Sequence, residues 1–186
     1  EIYFSGNKSG ELSTIYYTKR DVDGWSPVQK ANFTKGQQAG ELHPFVSSDG
    51  EELYFSTHDE EYKNNKIWYV TRTNTGWGDA RKLQSPINND EVFDSNLAEN
   101  GDLYYTNISE LKMYYAPLKN GNYPEIHAVD IAPGLHGFIS KQQDCLIVDT
   151  RHKEDETRKD RDLYIHFKKT DGSWTEPISL GENINT

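Results

Sequence analysis

One strand pattern recurs down the chain: Glu1-Ile2-Tyr3-Phe4-Ser5, Glu52-Leu53-Tyr54-Phe55-Ser56, Asp102-Leu103-Tyr104-Tyr105-Thr106 and, more weakly, Cys145-Leu146-Ile147-Val148-Asp149. Counted from Ile2 to Leu53, Leu103 and Leu146, successive copies start 51, 50 and 43 residues apart. A strand repeated at that interval means one supersecondary unit copied along the chain, with neighbouring copies burying each other's apolar faces. No single figure of composition constrains the fold as tightly.

The elements around each copy keep one order. A strand and a tight turn come first: His43-Pro44-Phe45-Val46-Ser47-Ser48-Asp49-Gly50, then residues 94–101, then 136–143. Asp-Gly and Asn-Gly steps favour hairpins because glycine takes positive φ without a steric cost. The signature strand follows, then a polar loop, then a third strand: Ile15-Tyr16-Tyr17-Thr18, Ile67-Trp68-Tyr69-Val70, Met113-Tyr114-Tyr115-Ala116 and Leu163-Tyr164-Ile165-His166-Phe167. A turn then delivers an aromatic (Trp25, Trp77, Tyr123, Trp174), and a short last strand closes the unit, as in Pro27–Lys30 or Pro177–Leu180. No segment carries apolar residues at i, i+3, i+4 and i+7 over three turns, so no long helix is expected.

Four antiparallel strands in 40–50 residues is the arithmetic of a propeller blade. The expected fold is all-β: a β-propeller of four-stranded antiparallel blades, with about four blades present. The repeat units run over approximately 1–35, 36–87, 88–130 and 131–186. The repeated Trp and Tyr positions are expected to fill the gaps between blades. The first unit has no inner strand before Glu1, which leaves fifteen strands, three full blades and one of three strands. That count predicts a piece of a larger ring of five or six blades, the alternative being a small closed form. The chain also lacks an initiating Met and begins in a strand pattern, which predicts a processed form or an ordered part of a longer protein.

Composition agrees with many short, half-buried strands. Only 34% of the 186 residues are hydrophobic, yet 12% are aromatic, and a disordered chain is poor in aromatics. The formal net charge of −10 argues against nucleic acid or an anionic membrane as partner, since both want a basic footprint, although a local basic patch remains compatible with it. No apolar run approaches the roughly 18 residues of a transmembrane helix. The single Cys145 permits no intramolecular disulfide and stands alone, without a CxxC. Three N-x-S/T matches, at Asn7, Asn32 and Asn107, are of a kind that chance supplies freely.

The run from Pro44 to Ser56, P-x-x-S-x-D-G-x-x-L-Y-F-S, followed by Ile67-Trp68-Tyr69 and Gly76-Trp77, resembles the TolB-type, WD40-like propeller repeat. The tail Trp174–Thr186 resembles that family's blade ending. The resemblance implies a propeller, commonly bacterial and exported to the periplasm or cell surface. An acidic chain suits the cytoplasm equally well. Such repeats specify architecture better than function.

Long polar connections (31–42, 84–92, 130–135 and 7–14, 58–66, 108–111, 151–162) point to one functional face, because the opposite turns are tight. Aligned on those turns, His43, Asp94 and His136 fall at the same position, read as the first residue of each inner strand, with Glu41 and Glu91 just before it. Imidazoles and carboxylates converging at a channel mouth could bind a divalent metal or act as acid and base on a polar ligand. The plain alternative is a set of polar residues lining a wet channel. His58-Asp59-Glu60-Glu61 could add carboxylates, and Asn88-Asn89-Asp90-Glu91 is oxygen-rich without the ordered spacing of an EF-hand. The mixed-charge stretch 151–162 reads as a solvated or partner-docking loop. No cofactor is firmly implied, and no Gly-x-Ser-x-Gly, P-loop, dinucleotide fingerprint or HExxH is present.

Three functions follow as expectations. The first is a binding module offering a protein, peptide or glycan site on the long-loop face. The second is a saccharide lyase or hydrolase using the channel-mouth His, Asp and Glu residues. The third is a structural spacer domain.

Overall fold

The structure, a computed structural model, describes residues 1–9, 11–35, 39–151 and 160–185. The chain is all-β and is built from small antiparallel sheets with the strand order of propeller blades. It divides into two compact units, residues 1–95 and 96–186.

The first blade contains β1 (Ile2–Gly6), β2 (Thr14–Thr18), a short ribbon of β3 (Arg20–Asp21) and β4 (Gly24–Trp25), and β5 (Gln29–Lys30). Its sheet order is β1-β2-β5, so β1 forms an edge. The second contains β6 (Gly40–Val46), β7 (Glu52–His58), β8 (Lys66–Thr73), β9 (Gly76–Trp77) and β10 (Arg81–Lys82). Here the order is β6-β7-β8-β10, with β9 folded back on β8. A single 3₁₀ turn, Ile87–Asn89, follows.

The third blade contains β11 (Val92–Leu97), which begins in the first unit and ends in the second, then β12 (Leu103–Asn107), β13 (Lys112–Ala116) and β14 (His127–Ala128). The fourth contains β15 (Gly137–Ile139), β16 (Cys145–Arg151), β17 (Arg161–Phe167) and β18 (Ile178–Ser179). Both keep their strands in sequence order. The turns that open the hairpins hold Gly50 at φ +77° and Gly101 at φ +87°, a region open to glycine and costly for other residues.

Among the described residues an apolar core lies in each unit, and the two cores are built from matching repeat positions. In the first, Ile15 and Phe33 of the first blade meet Leu53, Phe55 and Val70 of the second, with Tyr3 and Trp77 packed against them. In the second, Tyr104, Met113 and Val129 of the third blade meet Ile139, Leu146 and Val148 of the fourth, with Tyr115 and Trp174 alongside. Strand alternation explains the match. Leu53 and Phe55, or Leu146 and Val148, point to one face of their sheet, where the preceding blade covers them.

The aromatics after the turns follow the expected packing at two of the four positions. Trp77 lies edge-on to Tyr3, with ring centroids 6.2 Å apart. Trp174 joins the second core. Trp25 departs from the expectation, being exposed. Tyr123 is half-buried and donates its hydroxyl to the Gly101 carbonyl, within its own blade.

Candidate functional site

His43, Asp94, Glu41 and Glu91 lie in the first unit and His136 in the second. His43 and Asp94 are not the first residues of their strands. β6 starts three residues before His43, and β11 two before Asp94. Both sit at a kink with left-handed backbone, φ +50° and +53°. At His43 the register of β6 against β7 slips between Leu42 and Phe45. Pro44, which has no N–H to give the ladder, is accommodated there. His136 precedes β15 and does not share the left-handed backbone.

The kinked amides are held by the preceding blade. His43 N–H donates to the Ser5 hydroxyl at 2.9 Å, and Asp94 N–H to the Ser56 hydroxyl at 3.1 Å. The His43 ring stands 5.3 Å from that of Phe93. Glu41 is buried, and its Oε1 accepts from the Thr34 amide at 2.7 Å and hydroxyl at 2.9 Å. Glu91 accepts from the Asn64 amide and the Asn65 side chain. Both carboxylates thus tie down long connections. Among the described residues, no group of three or more His, Cys, Asp or Glu is placed to hold a metal ion.

The neighbouring acidic stretches also organise their own loops. Asp59 accepts from the amides of Glu61 and Lys63 and from the Asn64 side chain, while His58 is buried in a stack with Tyr62, centroids 4.3 Å apart. Asn88 bridges Ile67 and Leu83 through its side-chain amide. Most of the mixed-charge stretch 151–162 falls outside the described residues.

Two arrangements were not expected from the sequence. The first is in the fourth blade, where Asp149 stands where the other copies have Ser5, Ser56 and Thr106. Its Oδ1 accepts from the amides of Leu135 and His136 and from Arg161, and its Oδ2 lies 2.9 Å from His136 Nδ1. Burial alone pushes this acid up, but the bonds from His136 and the two amides outweigh it and hold the carboxyl down at about 2. The outcome is an imidazole fixed in place by a permanent carboxylate. The only sequence signal was the departure of Asp149 from the Ser/Thr of its repeat position.

The second is a cavity of about 240 Å³ in the first unit, lined by Lys19, Lys30, Lys35 and Arg72 together with aromatic rings of Tyr3, Tyr17 and Trp77. The Arg72 guanidinium lies 3.8 Å from the Trp77 ring centroid, and Trp77 Nε1 donates to the Tyr3 hydroxyl at 2.8 Å. Glu1 pairs with Lys19 and Arg72, both at 3.0 Å. Burial acts to raise the Glu1 acid, yet Lys19, Arg72 and Tyr3 hold it down at about 2. Lys35 pairs with Asp79, and Lys30 forms no ion pair among the described residues. Four cations against two carboxylates leave the rim positive on a chain of net charge −10. The four cations come from places as far apart as Lys19 and Arg72, so no local motif announced them.

Three solved structures resemble the chain over nearly its whole length. A candidate 6-phosphogluconolactonase from Bacteroides fragilis shares 14% identity with a TM-score of 0.52, covering 94% of this chain and 55% of its own. The open-velcro β-propeller domain of the trilobed protease from Pyrococcus furiosus shares 14% with a TM-score of 0.44, covering 98% and 58%. Virginiamycin B lyase from Staphylococcus aureus shares 13% with a TM-score of 0.44, covering 97% and 56%. The chain therefore spans 55–58% of the length of these structures. At such identity the likeness concerns the fold alone. No protein-family model matches the chain, and no curated protein matches it.

Proposed function

We propose that the chain is a ligand-binding propeller module whose first unit takes an acidic saccharide in the cavity between Tyr17, Lys30, Arg72 and Trp77. The observation that carries this reading is the local reversal of charge: a cationic rim with aromatic walls on an acidic protein. Flat aromatic faces stack on the apolar faces of sugar rings, and guanidinium and ammonium groups pair with carboxylate or sulfate substituents. The TolB-type resemblance of residues 44–56 supports an exported bacterial setting, in which such glycans are met.

Calorimetric titration with oligogalacturonate and with a neutral oligogalactoside tests it. The acidic ligand should bind and the neutral one should bind at least about tenfold more weakly, with the preference lost at high salt. Lys30→Ala and Arg72→Ala should each weaken binding of the acidic ligand. Equal binding of both ligands, or of neither, overturns the reading.

A lyase or hydrolase is the second reading, favoured by His136. Its ring is oriented by Asp149, the arrangement a general base needs. In this reading His136 removes or delivers a proton on the saccharide while Asp149 stabilises the imidazolium. Loss of turnover in His136→Gln with fold retained would support it, and absence of any product from acidic polysaccharides would end it. Specific saccharide binding of either kind displaces the spacer function.

A further inference from the structure

We infer that the first unit holds a monovalent cation, sodium or potassium, between its first two blades, with Glu41 as the charged ligand. Glu41 is only 3% exposed, and its two oxygens have unlike surroundings. Oε1 accepts from the Thr34 amide and hydroxyl. Oε2 is buried and has no hydrogen-bond partner among the described residues. Nor does any Lys, Arg or His among the described residues form an ion pair with Glu41. Taking a carboxylate out of water is costly unless an opposite charge goes with it. The two donors on Oε1 satisfy that oxygen and leave the charge unanswered on the other.

The strands bring further oxygens to the same place. Glu41 gives its amide to the Ser13 carbonyl at 2.9 Å, not to β7. Its register partner on β7 is Thr57, so the two form a pair without ladder hydrogen bonds, the kind in which opposite side chains come closest. Thr57 lies two residues beyond Phe55 and shares its face, the one that meets the first blade. Ser13 and Thr57 are buried like Glu41, and their hydroxyls form no hydrogen bond among the described residues. One charged and two neutral oxygen-bearing side chains thus gather at the polar end of the core of Ile15, Phe33, Leu53 and Phe55.

Carboxylate and hydroxyl oxygens suit a hard cation. A single carboxylate matches a single positive charge, whereas divalent sites gather several carboxylates. A water molecule can donate to Oε2 but brings no charge with it. An alkali ion neutralises the carboxylate and takes lone pairs from both hydroxyls. Because Ser13 belongs to the first blade and Glu41 and Thr57 to the second, the ion ties the two blades together.

Thermal unfolding of the purified chain in sodium, potassium or choline chloride tests this. A constant ionic strength holds general screening equal, and choline is too large to enter the site. The unfolding midpoint should rise by about 3–6 °C for each tenfold increase in sodium or potassium above its Kd, with no such rise in choline. Glu41→Gln should lose the response. Thr57→Val, which removes one neutral oxygen, should move it to about three- to tenfold higher cation concentration. A midpoint that is the same in all three salts overturns the inference. So does a cation response retained in full by Glu41→Gln or, should that variant fail to fold, by Thr57→Val.

Discussion

The amide of His43 donates to the hydroxyl of Ser5 at 2.9 Å, and thirty-eight residues separate the two. Asp94 and Ser56 repeat the bond at 3.1 Å with the same separation. The serine of the signature strand is thus a latch: its hydroxyl accepts from the amide at the left-handed kink of the next blade's first strand. The third copy breaks the device. The buried Thr106 hydroxyl finds no hydrogen-bond partner among the described residues, and the His136 amide turns to Asp149 instead.

Ser56→Ala should therefore destabilise the first unit by about 0.5–1.5 kcal/mol, the net worth of the hydrogen bond that its hydroxyl accepts from the part-buried Asp94 amide. Thr106→Val should be nearly neutral, because that hydroxyl leaves no such bond behind. Urea denaturation of both variants measures the contrast; equal costs would refute the latch.

Matching positions should differ in cost according to what covers them. Phe55→Ala removes a fully buried ring and should cost about 3–5 kcal/mol. Phe4→Ala, at the equivalent but exposed place in the first blade, should cost no more than about 1 kcal/mol. The comparison is read from urea midpoints.

Asp149 should shape the acid limb of stability. Its folded pKa of about 2 lies below the roughly 3.9 of an unfolded aspartate. A depressed acid contributes stability that is present above about pH 4 and is lost as the pH falls towards 2. The contribution is on the order of 2 kcal/mol. Asp149→Asn should lower stability at neutral pH and flatten the decline between about pH 4 and 2, followed by thermal unfolding at a series of pH values.

Two glycines mark close approaches of different hardness. A Cβ at Gly40 would meet His58 Nε2 at 2.0 Å, and His58 is pinned by its stack on Tyr62. One at Gly137 would meet Met113 Sδ at 2.1 Å, the flexible end of an adaptable side chain. Gly40→Ala should cost about 1–3 kcal/mol and Gly137→Ala less, as measured by thermal shift.

Much of the fold was legible in advance because each element carries its own signal. The Asp49-Gly50 and Asn100-Gly101 steps mark hairpins, and the signature and third strands appear where their alternation places them. The site was not legible in the same way. Aligning His43 with Asp94 identified a true equivalence, but its basis is a backbone kink and a latch, which no side-chain chemistry announces. The union of Lys19, Lys30 and Arg72 around Trp77 depends on how two blades meet. Asp149 was visible only as an exception to its repeat.

By itself, the sequence determined the repeat, the strand order within each blade and which residues alternate towards an apolar face, since these depend on neighbours along the chain and on the period of a strand. Tertiary structure alone decided which of those faces are covered. Ile2 and Leu53 carry nearly the same pattern, yet one is exposed and the other is buried. Burial belongs to the packing of one sheet on the next, so identical local signals can end in opposite environments.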